Sequence, residues 1–181
     1  MADWNGLVLY TVGHSTRTLD DLVDLLRTFS VAALVDVRTI PRSRHNPQFN
    51  ADALETDLPQ RSIAYCRLAA LGGLRKARAD SPNDGWRNAS FRGFADYMQS
   101  DAFEQGLDEL WCLARASTAA IMCAEAVPWR CHRSLIADAL LVRGTDVRHI
   151  TGRRPASPHR LTSFAQVRSH RITYPANPGD S

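Results

Sequence analysis

No C-x-x-C pair occurs in this chain of 181 residues, and four cysteines (Cys66, Cys112, Cys123, Cys131) are few for a disulfide framework at that length. A zinc ribbon and a thioredoxin-type motif are thereby set aside, and reduced thiols are expected. No uninterrupted apolar run approaches the length that crosses a bilayer, so no membrane partner is expected. Residues 1–4 lack the charged and apolar regions of a signal peptide, and the expected location is the cytoplasm. Internal repeats and low-complexity tracts are absent too. Lysine is nearly missing: all 22 basic residues except Lys76 are arginine. Planar guanidinium groups suit paired hydrogen bonds to phosphate or carboxylate, although most are expected to be solvated surface charges.

What is present is the composition of a globular protein, with 44% hydrophobic and 23% charged residues, enough for one full core. The net charge of +3 is unevenly placed: residues 151–181 hold five arginines against Asp180, hence +4, which leaves −1 for the rest. The expected organisation is an α/β domain over residues 1–150 and a basic C-terminal extension over 151–181, packed on it or trailing from it.

Short apolar, β-rich runs at residues 7–12, 31–37, 63–68, 118–122 and 146–150 read as strands. Between them lie helical patterns. Thr18 with Asp21 makes a capping-box start for a helix reaching about Phe29. Asn50 is placed to cap a short helix ending before Pro59, and residues 91–98 and 101–116 read as helices broken near Ser100. Leu135, Ile136, Ala139, Leu140 and Val142 share helical spacing before Gly144 stops them. Strands alternating with helices imply a three-layer domain, a mostly parallel sheet of about five strands with helices on both faces. The expected order is 3-2-1-4-5. A polar stretch over residues 72–90 is longer than connections usually are, which suggests a lid or a disordered segment. Residues 151–181 read as coil.

In such a sheet, ligands bind beyond the carboxyl ends of the strands. Three polar loops converge there: Gly13, His14, Ser15 after the first strand, Arg38 to His45 with Ser43 and Arg44 after the second, and Cys123 to Ser134 after the fourth. Cys123 ends a strand, where rhodaneses and low-molecular-weight tyrosine phosphatases place a nucleophile. The spacing differs, being C-x6-R from Cys123 to Arg130 and C-x-R from Cys131 to Arg133, so only the architecture is similar. Cys131 opens a helix among Arg130, His132 and Arg133, which favours a thiolate. Cys66 and Cys112 are expected to be packing residues. Glu125 is placed to act as a general base or to hold Arg133 or Arg38, and His14 and His132 to move protons. The candidate catalytic set is Cys123, Glu125, Cys131, His132 and Arg133. The candidate binding set is Gly13, His14, Ser15, Arg38, Ser43 and Arg44, for a small anion or a nucleotide. A metal would draw on His14, His45, Cys123, Cys131 and His132, but no pair has finger spacing, and none is assigned. Trp86, Arg87, Phe91 and Arg92 with the basic tail would suit nucleic acid, against a core of almost no net charge.

Thr11-Val12-Gly13-His14-Ser15, Asp36-Val37-Arg38 with Pro41 and Ser43, Leu71-Gly72-Gly73, and Met122-Cys123-Ala124-Glu125 with Pro128 and Cys131-His132-Arg133 follow one another along the chain. In these the chain resembles the bacterial family catalogued as domain of unknown function family 488, over roughly residues 8–150 and again at Ile172-Thr173-Tyr174-Pro175. The resemblance implies a single α/β domain whose motif residues share one site, and names no reaction or cofactor. The expected function is an anion-binding, cysteine-containing site, used by a thiol-dependent hydrolase or transferase or else by a nucleotide- or nucleic-acid-binding module.

Overall fold

The computed structural model of the chain describes residues 2–176. Six strands form one sheet in the order β3-β2-β4-β1-β5-β6, with β1 (Val8–Gly13), β2 (Ala33–Asp36), β3 (Ala64–Arg67), β4 (Ala119–Cys123), β5 (Asp146–Ile150) and β6 (Ser157–Pro158). All pairs are parallel except β5 with β6. Five helices cover both faces: α1 (Leu19–Thr28), α2 (Ala51–Asp57), α3 (Ala89–Tyr97), α4 (Asp101–Ala116) and α5 (Arg133–Leu141). Alternate residues of each strand feed two cores. Val12, Leu34, Ala120 and Met122 meet α1 and α2 on one side. Leu9, Val35, Ala119 and Ile121 meet α3, α4 and α5 on the other. Among the described residues no helix is long and apolar enough to cross a membrane.

The α/β architecture agrees with the sequence, but the strand order does not. The expected 3-2-1-4-5 placed β4 outside β1, whereas β4 lies between β1 and β2 and pairs with both. Both orders cover the wholly buried Ala119 to Met122 on two edges, so burial of β4 alone does not choose between them. The choice lies in the pairing, where Ala119 to Met122 meet Ala33 to Asp36 on one side and Leu9 to Val12 on the other. The local readings fare better. Thr18 and Asp21 do form a capping box, and Ser100 caps α4 at the expected break. Asn50 stands at the N-terminus of α2 without a capping bond, since its side chain accepts from the Ser43 N–H at 2.7 Å.

Two segments read as loose are tied down. In the 72–90 stretch Asn83 is fully buried. It donates to Asp96 Oδ1 at 2.8 Å and accepts from the Tyr174 N–H at 2.9 Å. Ser81 Oγ and the Arg78 N–H also donate to Asp96. Beyond residue 150 the chain adds β6 to the sheet and then forms the hairpin β7 (Gln166–Arg168) and β8 (Arg171–Thr173). The cause is α5, which is buried from Arg133 to Leu140. A helix buried on every side needs cover on its second side too, and Ile172 and Tyr174 supply it, the Tyr174 hydroxyl donating to Asp138.

Candidate functional site

With β4 central, Cys123 ends beside both the Gly13 end of β1 and the Asp36-Val37-Arg38 end of β2. Two adjoining cavities open there. One, of about 390 Å³, is lined by Thr39, Gly73, Phe91, Cys123, Cys131 and His132 among others, and the next, of about 440 Å³, by His14, Ser15, Arg42 and Ser43 among others. Arg38, Ile40, Ala124 and Glu125 belong to both, so the two make one groove along the strand ends.

The β1 end fits under the β4 end through close backbone contact. His14 N–H donates to the Cys123 carbonyl and Ser15 N–H to the Ala124 carbonyl, both at 2.9 Å. Gly13 permits this, because a Cβ there would overlap the Glu125 carbonyl group. Both atoms are backbone, so neither can swing aside. Gly13→Ala is expected to cost about 2–3 kcal/mol through forced separation of the strand ends, measured by urea unfolding. A loss within about 0.5 kcal/mol would show that the approach is not needed for the fold.

Arg38 is 5% exposed and nearly spent. Its Nε donates to Asp36 at 2.9 Å, its Nη2 to Asp36 Oδ2 at 2.5 Å and to the Phe49 carbonyl at 2.7 Å, and its Nη1 to His14 Nε2 at 3.2 Å. A guanidinium has five N–H groups, so one Nη1 hydrogen remains for the groove. His14 accepts from Arg38, donates from Nδ1 to the Ser15 carbonyl at 2.8 Å and stacks on Phe49. Burial holds its pKa down to about 4, with the Arg38 charge adding to the effect. It lines the groove as the sequence placed it, with both ring nitrogens engaged by Arg38 and the Ser15 carbonyl.

Cys123 Sγ, Cys131 Sγ and His132 Nδ1 lie within 4.8 Å of one another. His132 stands at the N-terminus of α5, with its ring edge-on to Phe94 and Gly73 pressed against it. Its Nε2 lies 3.0 Å from the Val37 carbonyl and 3.1 Å from the Leu71 carbonyl. Carbonyls only accept, so the proton sits on Nε2, and the Nδ1 lone pair faces Cys131 Sγ at 3.6 Å. The two thiols are coupled. The neighbouring Cys123, aided by the Arg133 charge and N–H, holds the Cys131 thiol below its ordinary range, while Cys131 and burial push Cys123 above it.

Arg133 departs from its expected role. It is 1% exposed and lines neither cavity, so it does not reach a groove ligand. Its Nη2 donates to the Glu125 backbone carbonyl and its Nη1 to Thr11 Oγ1 at 3.2 Å. From Thr11 a hydrogen-bonded chain runs to His149 at 2.7 Å, His159 at 2.9 Å and the buried Asp138 at 2.8 Å. No carboxylate pairs with Arg133 among the described residues, and its charge lies behind the thiols. Glu125 is exposed in the groove, its carboxylate accepting from the Val127 N–H at 3.1 Å, and it holds neither Arg133 nor Arg38 by that group.

Ser15 and Ser43 line the groove as expected, whereas Arg44 is exposed and outside both cavities. His45 is also exposed, and Arg38 occupies His14, so neither joins the thiol cluster. Cys66 is half-buried, and Cys112 is exposed on α4 rather than packed. Sequence reasoning placed the loop holding Thr39, Ile40 and Arg42 at this edge without naming those residues as site members, weighed Arg130 only in its spacing from Cys123 and as a neighbour of Cys131, and missed Leu74 and Asn88. The available signal was Leu71-Gly72-Gly73, which follows β3 and so belongs to the same sheet edge.

No curated protein and no solved structure matches the chain. A family model does, over residues 18–140. That span starts at the cap of α1 and ends within α5, taking in the Asp36-Val37-Arg38 and Cys131-His132-Arg133 segments and stopping short of residues 11–15 and 172–175. The chain belongs to the family described as Domain of unknown function DUF488.

Proposed function

We propose that the protein is a thiol-dependent hydrolase or transferase acting on a small anionic substrate, a phosphorylated compound or nucleotide, in the groove at the strand ends. The observation that carries this reading is geometric. Two thiols and an imidazole with a fixed tautomer share one wall of an open cavity whose opposite side offers the last free N–H of Arg38. Arg130 and Arg42 line the same groove and are placed to hold an anion, whereas Arg133 lines neither cavity. Phe91, Ile40 and Leu74 give it an apolar side, which suits the organic part of a substrate. Few convergent polar groups in a largely apolar cleft are the usual form of a small-molecule site.

The test is turnover of aryl phosphate mono- and diesters, nucleotides and thioesters by the wild-type, Cys131→Ser, Cys123→Ser and Arg130→Ala proteins. At least one substrate class is expected to be turned over, with loss of activity in both cysteine variants. Arg130→Ala is expected to weaken substrate binding by roughly 10-fold or more through loss of one charge-assisted contact. No turnover of any class, with nucleotide or oligonucleotide binding that survives Cys131→Ser and weakens with salt, would make the groove a binding module instead.

A further inference from the structure

The geometry points to a zinc-type divalent metal site formed by Cys123 Sγ, Cys131 Sγ and His132 Nδ1, with its fourth position open to the groove. This deepens the reading of the groove as a reaction site and rests on it, with the two thiols serving as metal ligands and not as nucleophiles.

Three protein ligands of borderline-soft character converge although their sequence spacing is not that of a finger. Cys123 comes from the end of β4, Cys131 from the turn before α5 and His132 from its N-terminus. A tetrahedral zinc with ordinary bond lengths separates a sulfur from a nitrogen ligand by about 3.6 Å and two sulfurs by about 3.8 Å. Cys131 Sγ and His132 Nδ1 are 3.6 Å apart, and all three atoms lie within 4.8 Å. The site therefore closes on an ion with small side-chain shifts.

An independent observation concerns the far side of the imidazole. A ligating histidine normally donates its other ring N–H to a carbonyl or carboxylate, which fixes the tautomer and raises its basicity. His132 Nε2 has two such acceptors, the Val37 and Leu71 carbonyls, at 3.0 and 3.1 Å. Those carbonyls follow β2 and β3, so the sheet itself aims Nδ1 at the thiols. Gly73 leaves room for the ring in that pose, since a Cβ there would strike it. A general base for a groove ligand would need a free nitrogen facing the cavity. This one faces sulfur.

Three protein ligands with a vacant fourth direction characterise catalytic rather than structural zinc sites. The ion would bind water and polarise a carbonyl or phosphoryl oxygen. The remaining Arg38 N–H and Arg130 would hold the anionic end of the substrate beside it. Ligand charge also fits: two thiolates and a neutral histidine balance the ion's two positive charges, with Arg133 lying behind.

The test uses reduced, metal-stripped full-length protein titrated with Co²⁺ and Zn²⁺. One equivalent of cobalt is expected to give intense tetrahedral d–d bands and a thiolate charge-transfer band, both removed by one equivalent of zinc. Zinc is expected to protect Cys123 and Cys131 from N-ethylmaleimide in the folded wild type while exposed Cys112 still reacts. Cys123→Ser, Cys131→Ser and His132→Ala are each expected to weaken binding on the order of 100-fold or more, and Cys112→Ser to leave it unchanged. The protection experiment stands even if a variant fails to fold. A weak octahedral cobalt spectrum, or no zinc protection at stoichiometric metal, overturns the site. Thiol-dependent turnover by metal-free protein overturns it as well and leaves the groove reading intact. Metal binding without turnover or anion binding upholds the site and removes the proposed activity.

Discussion

Replacing Asp36 by alanine is expected to lower stability by about 3–5 kcal/mol, the usual cost of stripping one partner from a buried ion pair. Asp36 is fully buried and Arg38 is 5% exposed. The carboxylate receives Arg38 Nε at 2.9 Å, the Arg38 N–H at 3.0 Å and Tyr65 OH at 2.7 Å, besides the 2.5 Å contact to Nη2. Burial alone works against the Arg38 charge, and Asp36 more than restores it. The same burial, with the hydrogen bond to Asp36, pushes the Tyr65 hydroxyl well above its ordinary pKa. Without Asp36, a cation, a phenol and a backbone N–H lose their acceptor together. Asp36→Ala with Arg38→Met should cost less than Asp36→Ala alone, because no unpaired charge then remains. Urea unfolding of the three variants decides this. A double variant as unstable as the sum of the singles would show that the pair is not coupled. The pair also matters for the groove, since together with the Phe49 carbonyl and His14 it occupies every Arg38 donor but one.

Mild acid is expected to destabilise the fold between pH 6.5 and 4. His14 and His149 are 2% and 8% exposed, and burial first of all holds both down to about 4. His14 faces Arg38, Asp36 and Arg133, and His149 faces His159, Arg133 and Asp138. Since the folded values lie below the unfolded value of about 6.5, the unfolded chain binds more protons within this window, and stability rises with pH. The contribution is complete above pH 6.5, falls as pH drops, and has gone by about pH 4, where both states are protonated. Each histidine adds a slope approaching 1.4 kcal/mol per pH unit, roughly 3 kcal/mol over the window. Unfolding midpoints at four or five pH values should show this fall, and His14→Asn or His149→Asn should each flatten it by about half. An unchanged slope in both variants would transfer the effect to other groups.

The candidate site was legible in the sequence as a set of loops but not as a set of roles. Position at a strand end is a local property, carried by an apolar run that stops, and so Gly13, Arg38 and Cys123 were found. Role depends on which neighbour claims each hydrogen bond. Arg133 lies next to Cys131 and His132 in sequence, which places it in the candidate catalytic set. In the fold it turns inward to Thr11 and the Glu125 carbonyl, while Arg130, three residues earlier, lines the groove. His14 and His132 looked alike in sequence. Arg38 and the Ser15 carbonyl engage both ring nitrogens of the first, and the Val37 and Leu71 carbonyls aim the second at sulfur.

The sequence by itself determined the α/β class, the succession of strands and helices up to residue 150, the capped start of α1 and the break before α4. Each is set by apolar periodicity and local hydrogen bonding within a few residues. Only the tertiary structure decided that β4 lies between β1 and β2, that residues 72–90 are pinned by Asn83, and that the C-terminal segment covers α5. Those outcomes depend on burial shared between segments up to 138 residues apart, such as the Thr11–His149 bond. Short-range periodicity says which face is apolar. It does not say what will cover it.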